Sequence, residues 1–273
     1  MPQKPKLGQN FLVDRDAMKR VVDALGDISK MTVIEIGPGE AALTSLLAVK
    51  AGRLMAVELD RVLAAQLRMK FTRLPSVEIL EADILKVDIG TMLGNRPGPL
   101  RDLRPTERLK AHVVGNLPYY ITSDILLRLF EFHEWLQRLV LMVQLEVAER
   151  IAATPGHSEY GLLSATVQMY TDVELLFKLP PSAFEPPPKV HSAVLRLTVN
   201  PKFEPYGVDE GGFIEFLKKV FAQKRKTLSN NLKGHFESAA IAAALKAAKL
   251  KPDVRAEAVK LEAMAKVYNT LKG

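Results

Sequence analysis

The stretch Thr32–Thr44, TVIEIGPGEAALT, constrains the fold of this chain more than any other part of the sequence. The apolar run Val33–Ile36 leads into the turn Gly37–Gly39, and a helix-like segment follows from Glu40. A strand, a glycine turn and a helix form the first unit of a nucleotide-binding α/β sheet. The glycines allow a tight turn and let a ligand lie against bare main chain.

Two acidic residues bear on the ligand of this turn. Glu58 ends the second apolar run, where a carboxylate suits a ribose with two free hydroxyls. Glu35 would face the methionine end of S-adenosylmethionine (SAM), whereas a pyrophosphate would be repelled by that carboxylate. The third glycine of the dinucleotide pattern is missing, because position 42 is alanine. The stretch favours SAM and leaves open a dinucleotide or a structural turn without a ligand.

Composition indicates a globular chain of 273 residues with 48% hydrophobic residues, enough for one large domain, or one with a small second domain. No apolar run reaches membrane-spanning length, and the N-terminus lacks the hydrophobic core of a signal peptide. Cysteine is absent, and the five histidines are scattered without metal-ligand spacing. We therefore expect a cytoplasmic protein that binds neither a metal nor a membrane.

The net charge of +7 is unevenly distributed. The segment Val199–Gly273 holds 14 Lys and Arg against 8 Asp and Glu, whereas the first 198 residues hold 24 against 23. A C-terminal module that grips a polyanion would explain this excess, and a well-solvated helical surface is the alternative.

Alternating strands and helices predict a mostly parallel sheet covered on both faces. The strands are expected near 33–36, 54–58, 77–80, 112–115 and 139–143. Helices are expected at 14–25, 40–50, 60–74, 123–133 and 145–153. Two later runs, 173–179 and 192–199, predict a closing antiparallel pair, and four helical segments follow near 210–223, 225–235, 238–249 and 253–271. We predict a first domain over residues 1–200 and a helical RNA-binding domain over 201–273.

Two loops are distinctive. Gly94–Lys110 contains three prolines and five basic residues, which predicts a mobile surface excursion. Pro180–Lys189 is held extended by its prolines and carries Phe184 at its centre.

Polar residues end the third and fourth predicted strands. Asp83 follows the third strand, and its carboxylate can accept a hydrogen bond from an adenine amino group. Asn116 ends the fourth strand and opens the sequence Asn116-Leu117-Pro118-Tyr119. Both lie at the carboxyl edge of a parallel sheet, where ligand sites of α/β proteins form.

The Asn116–Tyr119 sequence suits methylation of an exocyclic amino group, whose lone pair is delocalised into the ring. The Asn116 side-chain carbonyl and the Leu117 main-chain carbonyl can accept the N–H groups, Pro118 fixes the turn, and Tyr119 offers a stacking face. Catalysis is then mostly positioning and electrostatics. A strand-end turn with a buried tyrosine is the alternative.

These residues carry a family resemblance that runs nearly end to end. The chain resembles the KsgA-type ribosomal RNA small-subunit adenine dimethyltransferases. The resemblance rests on GQNFL (8–12), EIGPGEAALT (35–44), VELD (57–60), EADIL (81–85), GNLPYY (115–120), FEPPPKVHSAVLRL (184–197) and FAQKRKTLSNNL (221–232). It implies a seven-stranded Rossmann-like methyltransferase sheet with a small helical C-terminal domain. The implied reaction places two methyl groups on N6 of each of two adjacent adenosines near the 3′ end of small-subunit (16S) rRNA.

Carried over residue by residue, the resemblance implies a set of cofactor contacts. They are Gln9, Asn10, Leu12, Gly37, Gly39, Glu58, Leu59, Asp83, Ile84 and Asn116. It also implies that Tyr119 and Phe184 sandwich the flipped adenine, although Phe184 could instead anchor its loop. Ala41 departs from the family pattern, which has glycine there, and we expect a slightly tighter turn with binding retained.

The implied RNA contacts are basic. Lys224, Arg225 and Lys226 are predicted to open a helix that grips phosphates, with a solvated helix start as the alternative. Lys189 is assigned to the same partner, the small ribosomal subunit, and we expect a monomer.

Three rival functions remain at this point. One is a large-subunit rRNA methyltransferase of the erythromycin-resistance type, which the segments 184–197 and 221–232 disfavour. Another is a non-catalytic nucleic-acid-binding factor on the same scaffold, which the intact Asn116–Tyr119 and Asp83 disfavour. The third is a dinucleotide oxidoreductase, which Ala42 disfavours.

Overall fold

A computed structural model describes residues 10–94 and 110–273. These residues form two compact units. The first contains the described residues up to Ala148 together with Glu174–Val199, and the second contains Glu149–Val173 and Asn200–Gly273. Gln9 and the interior of the predicted 94–110 excursion lie outside the described residues.

Apolar runs form the strands, as predicted. The strands of the described residues are β1 (Phe11–Leu12), β2 (Thr32–Ile36), β3 (Arg53–Glu58), β4 (Val77–Glu81), β5 (Ala111–Asn116), β6 (Leu136–Gln144), β7 (Thr171–Leu179), β8 (Phe184–Glu185) and β9 (Ser192–Val199).

Seven of these strands form one sheet, in the order β4-β3-β2-β5-β6-β9-β7. The pairs from β4 to β6 are parallel, and β9 pairs antiparallel with β6. The two late runs lie side by side as β9 and β7 at one edge of the sheet. The short strands β1 and β8 form a separate antiparallel pair, which the sequence did not predict, with Leu12 opposite Phe184. This arrangement confirms the expected Rossmann-like sheet and brings the carboxyl ends of β2 to β5 to one edge.

Helices connect the strands. They are α1 (Arg15–Asp23), α2 (Thr44–Lys50), α3 (Arg61–Phe71), α4 (Ile89–Gly94), α5 (Thr122–Phe130) and α6 (Leu145–Ala152). Asp14 and Asp60 cap α1 and α3 by accepting hydrogen bonds from the first main-chain N–H groups of each helix. The apolar faces of α1 and α2 contribute Val21, Leu47 and their neighbours to a core that covers the sheet.

The second unit is helical. It contains α7 (Leu162–Tyr170), α8 (Phe203–Tyr206), α9 (Glu210–Val220), α10 (Leu228–Leu232), α11 (Ser238–Ala247) and α12 (Leu261–Lys272). Phe213 and Phe216 of α9 pack against Tyr268 of α12, with ring centroids 5.4 Å apart in both pairs. These rings form the core that holds α9 to α12.

The observed division differs from the predicted one at residues 149–173. This segment belongs to the second unit because α7 packs on α9 and because polar contacts tie its end to later residues. The Tyr170 hydroxyl lies 2.7 Å from the Glu210 carboxylate, and Lys202 lies 2.7 Å from Asp172. The chain passes from the first unit into the second for the last time after Val199, next to the predicted boundary at residue 200. Among the described helices none is long and apolar enough to span a membrane.

Candidate active site

A cleft of about 110 Å³ opens at the carboxyl ends of β2 to β5. Its walls come from the glycine turn after β2, the end of β3, the segment after β4 and the turn after β5. The lining residues are Asn10, Phe11, Ile36, Gly37, Gly39, Val57, Glu58, Leu59, Ala82, Asp83, Ile84, Asn116, Leu117, Pro118, Tyr119, Tyr120, Ile121 and Ile125. We call this space the cleft.

Main-chain geometry explains the glycine turn. Gly37 and Gly39 have φ angles of +64° and +54°, which glycine adopts without steric cost. A Cβ atom at Gly39 would lie 2.7 Å from the ring of Phe11, so this ring packs directly on the turn. A Cβ atom at Gly37 would meet nothing within 4 Å, so the main chain there faces open space.

The carboxylate of Glu58 holds the glycine turn against β3. Its Oε2 atom accepts a hydrogen bond from the Gly39 N–H at 3.0 Å, and its Oε1 atom accepts one from the Asp60 N–H at 2.9 Å. Glu58 is buried yet lines the cleft. Each carboxylate oxygen can accept a further hydrogen bond from a ligand.

In the side-chain amide of Asn116, the NH₂ group is hydrogen-bonded and the carbonyl oxygen is left for a ligand. Its Nδ2 atom donates to the main-chain carbonyl of Asn10 at 2.7 Å. Its Oδ1 atom is buried and has no hydrogen-bond partner within the part of the chain that the structure describes. Since an unpaired buried carbonyl is costly, this atom suits a ligand that brings an N–H group into the cleft.

Tyr119 is half-buried at the start of a short 3-10 turn, Tyr119–Ile121. Its hydroxyl oxygen lies 2.6 Å from the Oγ atom of Ser192, which is buried at the start of β9. Burial raises the pKa of Tyr119, and the contact with Ser192 opposes that rise. The phenol therefore stays neutral, and its ring is held close to the carboxyl end of β5.

The charged side chains that line the cleft are acidic. Glu58 and Asp83 line it, and no Lys, Arg or His stands among the lining residues that the structure describes. A smaller cavity of about 30 Å³ shares Phe11, Gly37 and Asn116 with the cleft, and we call it the second cavity. Glu35 lines the second cavity, where burial raises the pKa of its carboxyl group to about 8. Such surroundings favour a positively charged ligand.

Most of the residues predicted for the cofactor and for catalysis come together in the cleft. These are Asn10, Gly37, Gly39, Glu58, Leu59, Asp83, Ile84, Asn116, Leu117, Pro118 and Tyr119. Leu12 is instead part of the apolar core and reaches only the second cavity. Lys189 is exposed and does not line the cleft.

Phe184 lies in the apolar core and not in the cleft. Its side chain is 3% exposed, and β8 pairs with β1 opposite Leu12. This position corresponds to the loop anchor that the sequence left open. Sequence reasoning also overlooked Phe11, although it lies between two of the predicted contacts, Asn10 and Leu12.

Lys224, Arg225 and Lys226 lie in a turn before α10, not in the helix itself; we call residues 224–226 the basic turn. The helix begins at Leu228, where Thr227 caps it. All three basic side chains are exposed. Asn231 of α10 holds this turn, because its Nδ2 atom donates to the carbonyls of Val220 and Gln223 in the preceding chain.

Ala41 has a φ angle of +72° and is buried. A non-glycine residue in this left-handed region is strained, because its Cβ atom crowds the backbone. The turn therefore has a backbone conformation that glycine would adopt freely. In this chain the Cβ atom of Ala41 makes that conformation strained. Among the described residues, no group of three or more His, Asp and Glu side chains is arranged to hold a metal ion.

Comparison with known proteins places the chain in a family. The family model described as ribosomal RNA adenine dimethylase matches residues 2–273. A protein of Koribacter versatilis named ribosomal RNA small subunit methyltransferase A is 61% identical over 99% of this chain and 95% of its own length. A protein of the same name from Acidobacterium capsulatum is 50% identical, over 98% of this chain and 91% of its own.

Solved structures share the fold. The 23S rRNA methyltransferase ErmE is 25% identical with a TM-score of 0.70, over 97% of this chain and all (100%) of that one. A dimethyladenosine transferase from Plasmodium falciparum is 21% identical with a TM-score of 0.74, over 94% of this chain and 95% of that one. With the match over residues 2–273, the chain belongs to the ribosomal RNA adenine dimethylase family.

Proposed function

We propose that this protein is a SAM-dependent methyltransferase that dimethylates N6 of two adjacent adenosines in the 3′-terminal hairpin of small-subunit (16S) rRNA. Family membership over residues 2–273 supports the reaction. The names of the 61% and 50% identical relatives support the small subunit as its target. The protein acts as a cytoplasmic monomer during ribosome biogenesis.

The residues of the cleft fit SAM. Glu58 presents carboxylate oxygens suited to ribose hydroxyls, and Asp83 presents a carboxylate suited to the adenine amino group. The main chain at Gly37 faces open space, so a ligand can lie directly against it. When bound, SAM supplies an electrophilic methyl group on a positively charged sulfonium, and the absence of Lys, Arg and His from the described lining suits that charge.

The observation that carries the proposed catalysis is the state of the Asn116 amide. Because Asn10 holds its Nδ2 atom, the buried Oδ1 atom is the one left for a substrate. Asn116 accepts an N–H of the adenine amino group and turns the nitrogen lone pair toward the methyl group. A fixed acceptor of this kind lowers the barrier because it needs no reorganisation during the reaction.

Tyr119 receives the adenine after the base leaves its stack. Extruding a base costs a few kcal/mol, and stacking on an aromatic ring returns about 1–3 kcal/mol. Ser192 keeps the Tyr119 ring oriented for that stacking. A stacking role for Phe184 stays a prediction, since its side chain would have to leave the apolar core.

The basic turn and Lys189 bind rRNA phosphates in this proposal. Their side chains are exposed, and Lys224 also donates to the Ser158 carbonyl at 2.7 Å, which anchors the turn within the second unit. Phosphate contacts of this kind position an enzyme on RNA without reading its sequence.

The test is transfer of labelled methyl groups from SAM to small ribosomal subunits isolated in undermethylated form, followed by identification of the modified nucleoside by mass spectrometry. We expect N6,N6-dimethyladenosine in the small subunit. Large subunits serve as the second substrate, because ErmE shares the fold. Labelling of large subunits alone, or of neither subunit, would contradict the proposed function.

A further inference from the structure

Glu35 is a buried carboxyl group with an uncommitted oxygen in the lining of the second cavity. It is the last residue but one of β2 and is 2% exposed. Its Oε2 atom has no hydrogen-bond partner among the residues of the described ranges. The group lines the second cavity, which shares Phe11, Gly37 and Asn116 with the cleft.

The surroundings of Glu35 contain acids and no base. On the flanking strands its register partners are Ala56 of β3 and Val114 of β5, which carry no charge. Glu58 of β3 and Glu40 of the turn are the ionisable groups nearby. Within the described chain, no Lys, Arg or His lines the second cavity.

These surroundings disfavour the ionised form of the carboxyl group. Burial is the main reason that the pKa of Glu35 rises to about 8, and the negative charge of Glu58 adds to the rise, while Thr44 opposes it. A buried carboxyl without a cation takes up a proton because its charge is poorly solvated. A cation within about 4–6 Å reverses this preference.

We propose that Glu35 is protonated in the empty site at neutral pH and gives up its proton when the positively charged cofactor enters, so that cofactor binding is coupled to proton release. This inference rests on the proposed function, which supplies SAM as the ligand. The proton leaves the carboxyl oxygen for solvent, and the resulting carboxylate balances the charge of the sulfonium and the ammonium groups. Glu35 thereby acts as a specificity-determining residue for cofactor charge.

The coupling also distinguishes cofactor from product. Transfer of the methyl group converts the sulfonium of SAM into the neutral thioether of S-adenosylhomocysteine (SAH), so the product carries one positive charge less. With less positive charge nearby, Glu35 regains its proton more readily. SAH therefore releases fewer protons on binding than SAM does. As a result, the ratio of SAM affinity to SAH affinity should increase as the pH rises above neutral.

Isothermal titration calorimetry measures this coupling directly. SAM and SAH are titrated into the full-length protein between about pH 6 and pH 9, in buffers of different ionisation enthalpy, so that the protons released can be counted. We expect release of nearly one proton with SAM near pH 7, and clearly less with SAH. The affinity for SAM should rise by up to about tenfold per pH unit below pH 8 and then level off.

Two variants isolate the contribution of Glu35. Glu35→Gln resembles the neutral acid, so it should keep the fold but lose both the proton release and its share of the pH dependence. The ratio of wild-type to Glu35→Gln affinity removes the titration of the ligand's own amino group, which also lies near pH 8. Glu40→Gln is the matched control: Glu40 lines the same cavity but is exposed, so proton release should persist.

A measurement on the wild-type protein alone guards against misfolding of a variant. Infrared spectroscopy should show the C=O band of a protonated carboxyl group, and this band should disappear when SAM is added. SAM binding without proton release, equal release with SAH, or an unchanged pH profile in Glu35→Gln would each overturn the inference. Absence of SAM binding at every pH would instead contradict the proposed cofactor, and the inference with it.

Discussion

The cleft and the basic turn carry side chains of opposite charge. The described lining of the cleft contains Glu58 and Asp83 but no basic residue. The basic turn is exposed and carries Lys224, Arg225 and Lys226 in succession. A positively charged small molecule suits the first region and a polyanion suits the second. Cofactor binding and RNA binding should therefore be separable, each abolished by changes that leave the other intact.

The strongest loss of activity is expected in the cleft, at Asn116. Asn116→Ala removes the buried Oδ1 acceptor and also the donor that holds the Asn10 carbonyl. We expect both methyl transfers to slow by about two orders of magnitude or more, as when a preorganised polar group is removed from an active site. Nucleoside mass spectrometry after single and multiple turnovers on small subunits measures the change.

Asn269→Ala is the control for that variant, since Asn269 is exposed on α12 of the second unit. It should transfer methyl groups at the parent rate. Dimethyladenosine forming at the parent rate in Asn116→Ala would show that the catalytic group lies elsewhere.

The next largest effect is expected in the basic turn. Changing Lys224, Arg225 and Lys226 together to glutamine should weaken binding to small subunits. The slope of log affinity against log salt should fall by about 0.7–0.9 for each phosphate that the variant no longer binds. The affinity for SAM should not change, because these side chains do not line the cleft. Filter binding over a range of salt concentrations gives the slope.

The matched control changes three exposed lysines elsewhere in the same unit, Lys246, Lys249 and Lys251, to glutamine. It removes the same charge and should leave the salt slope near that of the parent. An equal decrease of the slope in both triple variants would mean that general charge, and not the basic turn, binds the RNA.

A smaller effect in the cleft concerns Glu58. Glu58→Ala removes the acceptor proposed for the ribose hydroxyls and should weaken SAM binding by about 1–3 kcal/mol. Glu81→Ala is the control, because Glu81 is the register partner of Glu58 on β4 but is exposed and paired with Arg68. Calorimetry at a temperature below unfolding compares the two. Unchanged SAM affinity in Glu58→Ala would remove this residue from the site.

The sequence predicts the sheet well because its strands are long apolar runs that end in distinctive turns. Most of the cleft follows from the same cause, since residues at the carboxyl ends of neighbouring parallel strands must meet at one edge. Glu58, Asp83 and Asn116 come together for this reason.

Two features could not be read from local pattern. Helix α7 is buried on most sides, including Ser164 and Thr166, so it shows no polar stripe that would mark a helix. The strands β1 and β8 are two residues long, too short for alternation to appear. Their pairing turns Phe184 into the core, and nothing near that residue in the sequence indicates the direction of its side chain.

The smallest effect is expected at Ala41, inside the glycine turn of the cleft. Its φ angle of +72° is held by a hydrogen bond from its N–H to the Pro38 carbonyl at 2.9 Å and by two hydrogen bonds that Ser45 donates to the Ala41 carbonyl. Placing alanine at positive φ costs more than the roughly 0.4–1 kcal/mol that alanine otherwise gains over glycine from chain entropy. Ala41→Gly should therefore raise the free energy of unfolding by about 1 kcal/mol.

The neighbouring residue provides a control of opposite sign for this change. Ala42 does not have positive φ, so Ala42→Gly gains no relief of strain and should lower the free energy of unfolding by about 0.5–1 kcal/mol. Denaturant unfolding of both variants gives the two values, and calorimetry should show SAM affinity retained in Ala41→Gly because the turn keeps its shape. If both variants lose stability, the buried methyl group of Ala41 contributes more by packing than it costs in strain, and the turn of this chain has adapted to alanine.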